Sequence, residues 1–130
     1  MMKRTHLAVG LAATLPLIVA NPISIIGLFG ATAPDWDYYI GLEHRGFTHS
    51  FLAVGLSTWI IYAVDSRIAL VWFINYFLHV MLDSLTIMGV PFLYPLMKER
   101  CFLAKFRTRG GEDYFFQLMA IAFICFRYLE

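Results

Sequence analysis

The run from Leu7 to Ala33 holds 27 residues without a single charge, and no other feature restricts the fold so strongly. Such a stretch needs apolar surroundings throughout, and about 20 residues suffice for one helix to cross a bilayer. Asn21-Pro22 divides it, because proline biases the residue before it away from helix and Asn-Pro starts turns. Pro16 is a second interruption. The pieces, Leu7 to Ala20 and Ile23 to Ala33, are each short for a span: at 1.5 Å per residue the first reaches about 21 Å of a roughly 30 Å hydrocarbon core. The expected structure is a broken helical hairpin that enters and returns on one side, its freed backbone groups satisfied by neighbouring helices.

The rest of the chain has the same character. Of 130 residues, 60% are apolar and only 15% charged, against about 25% charged in an average soluble domain, which argues against both a soluble monomer and disorder. A net charge of +1 creates no global field for nucleic acid. Cys101 and Cys125 lack metal or redox spacing and cannot form a disulfide framework. Phe51 to Val64, extended backwards through Gly46 to Ser50, reads as a span. Asp65-Ser66-Arg67 is a minimal turn, and Ile68 to Leu82 reads as an antiparallel second span. Ser84 to Met97 holds Gly89, Pro91 and Pro95 and reads as a partly buried loop, Lys98 to Asp113 is polar, and Tyr114 to Leu129 closes the chain as an apolar helix. The expected fold is all-α: one domain over residues 1–130, a polytopic membrane bundle with a broken amino-terminal hairpin and about three further apolar helices.

Charge sets the orientation. With the hairpin, Lys3, Arg4, Arg45, Lys98, Arg100, Lys105, Arg107 and Arg109 share one side and only Arg67 and Arg127 the other. Cytoplasmic loops carry the basic excess, so the chain is expected in the inner membrane, multi-pass, with its polar face in the cytoplasm. Cleavage as a secretory signal after Ala31-Thr32-Ala33 is disfavoured by Pro34 at the cut and by an apolar stretch longer than signals use.

The acidic residues and histidines cluster. Asp35 and Asp37 follow the hairpin; Glu43, His44, Arg45 and His49 sit in Glu-His-Arg-Gly-Phe-Thr-His-Ser; His79 and Asp83 stand at i and i+4, one turn apart on one helix face, with Thr86 continuing it. Singly, each has a plain structural role. His79 suits a hydrogen-bonded core histidine, Asp35 and Asp37 suit helix caps, Thr48 and Ser50 suit the start of a span, and Arg45 suits a topology anchor. Together they differ from that, because the hairpin topology brings His6, Asp35, Asp37, His44, His49, His79 and Asp83 to one membrane face. Imidazoles with carboxylates are ligands for zinc or another divalent ion, which would also neutralise buried aspartates.

His6 with Gly10, Pro34-Asp35-Trp36-Asp37, His44-Arg45-Gly46-Phe47-Thr48-His49-Ser50 and His79-x-x-x-Asp83-x-x-Thr86 resemble the YdjM-type family of inner-membrane metal-dependent hydrolases, itself similar to zinc-dependent phospholipase C and zinc nucleases. The His-Arg-Gly-x-Thr-His-Ser string is the most specific part, and the likeness extends from His6 to Glu112. It implies a membrane-bound hydrolase acting on a phosphoester such as a phospholipid through metal-activated water, with one or two divalent ions, zinc above all. His6, Asp35, His44, His49, His79 and Asp83 are the expected metal ligands. Asp37 or Glu43 is the expected base or orienting group, and Arg45 would stabilise developing phosphate charge. Membrane lipid is the expected partner. Two other classes stay open: a non-catalytic membrane protein with a structural metal, and a transporter. A transporter would need polar residues through the depth of the bundle.

Overall fold

The computed structural model describes residues 1–128, and among them every extended element is helical. Helix α1 covers Lys3–Ala20 and passes through Pro16 without ending. It stops at Asn21, whose extended backbone (φ −142°) precedes Pro22, so the break falls where the Asn-Pro pair places it. The second half of the uncharged run is a 3-10 helix over Pro22–Ala31. Runs of that form rarely exceed three or four residues.

Packing explains why this one persists. A Cβ added at Gly27 would lie 2.6 Å from both the Ile68 carbonyl oxygen and the Trp72 amide nitrogen, and one at Gly30 would lie 2.6 Å from the Trp72 carbonyl oxygen. The two glycines thus press the 3-10 run against the bare backbone of a later helix, the close approach that small residues permit. The chain turns back at Asn21: Ala31 lies beside Gly10 of α1, and Asp35, just past the run, approaches His79, the ring on which His6 of α1 stacks. Both ends of the hairpin therefore stand at one end of the molecule, as expected.

A 3-10 turn at Ala33–Trp36 leads into the short helix α2, Asp37–Ile40. Gly41 ends it in the left-handed conformation (φ 72°), which glycine adopts without steric cost. Another 3-10 turn, Phe47–His49, precedes α3, Phe51–Tyr62. The sequence reading extended this helix back to Gly46. The Ser50 hydroxyl instead accepts from the Ala53 amide and caps a helix of 12 residues, about 18 Å long. Helix α4, Ser66–Ser84, starts at Asp65, whose carboxylate accepts from the amides of Arg67 and Ile68. It runs antiparallel to α3, as Trp72 Nε1 on Ser57 and Tyr76 Oη on the Thr48 carbonyl record. The loop after α4 is tied by isolated bridges, Thr86 with Phe106 and Val90 with Cys101. Helix α5, Gly111–Tyr128, packs on α1; Leu129, expected as its last residue, lies with Glu130 outside the described residues.

A small apolar core of Ala53, Val54, Tyr76, Val80 and Val90 sits between α3, α4 and the loop. Many of the other buried side chains are polar, while Leu56, Trp59, Ile60, Phe115, Leu118 and Phe126 face outward. Among the described residues no helix is long and apolar enough to cross a membrane, so the multi-pass expectation is not met at the level of single helices.

Candidate metal centre

Four side chains from three parts of the chain meet in the interior. His79 and Asp83 lie on one face of α4, Asp35 comes from the turn that ends the hairpin, and His49 from the turn that opens α3. One ligand atom from each lies within 4.8 Å of the others, and all four residues are buried. His49 Nε2 is 3.4 Å from Asp83 Oδ2 and 3.8 Å from Asp35 Oδ1; His79 Nε2 is 3.5 Å from Asp35 Oδ1 and 3.7 Å from Asp83 Oδ2. A tetrahedral ion with bonds near 2.0–2.1 Å separates its ligand atoms by roughly 3.4 Å. The spacing suits one divalent ion.

The hydrogen bonding behind the rings fits as well. His79 Nδ1 lies 2.7 Å from the Ala31 carbonyl oxygen, which can only accept, so Nδ1 carries the proton and Nε2 presents its lone pair. His49 Nδ1 lies 3.1 Å from Thr48 Oγ1, and that hydroxyl donates to Asp37 Oδ2 at 2.8 Å, fixing the same tautomer in a second ring. Both Nε2 atoms are buried without a hydrogen-bond partner. Buried polar atoms are normally paired. Two orphaned nitrogens facing two carboxylates make a donor set suited to a cation.

Asp37 is lifted by burial but brought below the ordinary carboxylate value by hydrogen bonds from His44 and Thr48, so it is a carboxylate at neutral pH. Asp37, fully enclosed, accepts from the Arg45 amide (3.2 Å) and the Thr48 hydroxyl, and its Oδ1 lies 3.0 Å from His44 Nδ1. It thus orients two rings, His49 inward and His44 outward.

Asp83 uses both oxygens. Oδ2 faces His49, His79 and Arg45 Nη2 (3.2 Å); Oδ1 faces His6 Nε2 (3.2 Å) and the Met1 amino group. His6 stacks on His79 with ring centres 3.7 Å apart. Arg45 is buried, and its Nη1 donates to Thr86 Oγ1 (2.7 Å) and the Gly89 carbonyl (3.3 Å). Its backbone is left-handed (φ 60°), uncommon for a residue with a side chain.

Asp35 and Asp83 line a cavity of about 780 Å³ whose wall also carries Lys3, Arg4, Arg45 and Arg109. Lys3 is held there by the Tyr39 hydroxyl (3.1 Å) and ring. Four cationic side chains thus share the cavity with two carboxylates, and a divalent ion would match the carboxylates alone.

Of the residues singled out in the sequence, Asp35, His49, His79 and Asp83 come together, with His6 beside them. His44 does not join the group: it is 41% exposed, bonded to Asp37, and lines the cavity. Glu43 is 78% exposed and faces Arg100 at 3.6 Å, with no contact to the cluster. Arg45 is committed to Asp83, Thr86 and Gly89 rather than free at the wall. The sequence reading missed the Ala31 carbonyl, which no side-chain pattern reveals. It also missed Lys3 and Arg4 as cavity residues, because their charge is equally explained by membrane topology.

The chain belongs to the YdjM inner membrane protein family, whose model matches residues 1–129. No curated protein and no solved structure matches it.

Proposed function

We propose that this inner membrane family member is a metal-dependent hydrolase acting on a phosphoester, with a phospholipid as the substrate its setting favours. The observation that carries the reading is the pair of orphaned Nε2 atoms facing Asp35 and Asp83 at the floor of a cation-walled cavity. A structural metal would be closed in by protein ligands, whereas catalytic sites keep one position for water or substrate. Here two of the four ligand residues line an open cavity.

Asp35, His49, His79 and Asp83 would hold one divalent ion, zinc being the ion that this donor set suits. When bound it would lower the pKa of water towards 7 and polarise a phosphoryl oxygen. For a second ion, His6 and the other oxygen of Asp83 are the side-chain donors at hand. Arg45 braces Asp83 and offsets part of its charge, and Asp37 fixes the His49 ring through Thr48. His44, oriented by Asp37 through Nδ1, places a ring able to give or take a proton on the cavity wall. The remaining wall cations, Lys3, Arg4 and Arg109, suit the phosphate of an incoming substrate.

The membrane arrangement follows from the inverted surface. Apolar residues outside and polar residues inside suit a lipid solvent, and the hairpin with α3 to α5 would sit in it as a bundle in which no single helix carries the whole span. The excess of basic residues on the cavity side supports a cytoplasmic orientation of the cavity.

Purified protein in detergent, assayed on phosphodiester and phospholipid panels, is expected to hydrolyse one class, to lose the activity to a chelator, and to regain it with zinc. Activity that survives His79→Ala and Asp83→Ala, in protein that carries no metal by elemental analysis, would overturn the reading. A chelator-sensitive metal with no hydrolysis of any panel member would leave a structural staple.

A further inference from the structure

Leu7, Ile25, Ile26, Leu28 and Phe29 form an apolar groove of about 300 Å³ between α1 and the 3-10 run. Leu7, Ile25, Ile26 and Phe29 are 39%, 53%, 47% and 58% exposed. Lys3 and Arg4 precede Leu7 by four and three residues on α1, so all three lie on one helix face within about a turn. Both cations line the cavity over the metal cluster. One turn of helix therefore carries the cationic wall of the cavity at one end and the mouth of an apolar groove at the other.

We infer that this groove seats one acyl chain of an anionic phospholipid whose phosphate occupies the cavity. The headgroup half rests on the reading above; the groove is an independent observation. A soluble phosphoester would match the cations and make no use of the groove. A zwitterionic lipid would cover its side chains and leave Lys3, Arg4 and Arg109 less well matched. An anionic lipid answers both with one covalent connection, the tethering that raises effective concentration without new contacts. Lys3, held against Tyr39 at the wall, lies where headgroup and chain would join.

The test is photolabelling in phosphatidylcholine nanodiscs with trace phosphatidic acid carrying a diazirine in one acyl chain, mapped by peptide mass. Label is expected in peptides containing Leu7 and Ile25 to Phe29 above those of α5. Excess phosphatidic acid should compete, and phosphatidylcholine of the same chains or soluble glycerol phosphate should not. Leu7→Trp should reduce groove labelling by about tenfold, the loss expected when roughly two methylene groups lose burial, with metal content unchanged. Ile26→Trp should do the same and serves if the first variant is not recovered folded. Lys3→Gln with Arg4→Gln should abolish the preference for phosphatidic acid while chain labelling persists. Uniform label over α5 and the groove would overturn the inference, as would displacement by glycerol phosphate or insensitivity to both tryptophans. Labelling needs no turnover, so specific label in a protein without hydrolase activity removes the hydrolase reading and leaves the lipid site standing.

Discussion

Helices α4 and α5 have 19 and 18 residues and similar apolar content, yet they are used in opposite ways. Along α4 the enclosed face carries Asn75, His79, Asp83 and Ser84 beside Ala69, Val71 and Val80; along α5 only Asp113 and Ala120 are buried, and Phe115, Leu118, Ile121 and Phe126 face outward. The difference shows that apolar content does not decide what lies inside this molecule. Polar groups are gathered on the α4 side, and an exterior of aliphatic and aromatic side chains is left for α5. In water that arrangement would be costly. In a lipid solvent it is the economical one, because buried polar groups must pair with one another.

The contrast breaks most sharply at Asp83. Replacement by alanine should eliminate bound metal, measured by elemental analysis, and should destabilise the fold by about 3–5 kcal/mol, since Arg45 loses its buried counter-ion. Retained metal in a folded D83A protein would end the claim that α4 is organised around this site. Asp37→Asn should leave the fold intact but weaken metal binding by about 10–100-fold, as loss of a carboxylate behind a ligating histidine does elsewhere; titration with a zinc chelator measures it. Gly27→Ala inserts a methyl group against the α4 backbone and should cost about 1–3 kcal/mol in thermal unfolding. His44→Ala should keep full metal content while reducing turnover by about 10²–10⁴-fold if it serves as the proton-transfer group; loss of metal would make it a ligand instead. Leu118→Ala on the outer face of α5 should fall within about 0.5 kcal/mol of the parent in detergent. A larger effect would show that α5 is covered by a specific neighbour.

The sequence made much of this contrast legible. The i, i+4 spacing of His79 and Asp83 put both on the inner face of α4, and the Asn21-Pro22 break placed the turn that returns Asp35 to them. The basic hint in His44-Arg45 was readable as a site neighbour but not as a geometry: Arg45 turns inward only because Thr86, Gly89 and Asp83 receive its guanidinium. The 3-10 form of Pro22–Ala31 was not legible, because it depends on the glycine contacts with a helix more than 40 residues later. The start of α3 was misplaced for a local reason. Ser50 caps better than it propagates, and the residues before it are needed to aim His49.

The proton on His79 is held by a main-chain oxygen at the end of the 3-10 run, a partner no side-chain substitution can remove. If the site takes an ion, loading it and seating that segment would consequently be thermodynamically linked. Whatever loosens the returning arm of the hairpin would then lower affinity for the ion, and capture of the ion should in turn slow deuterium uptake by amides of the arm, making the segment a built-in reporter of occupancy.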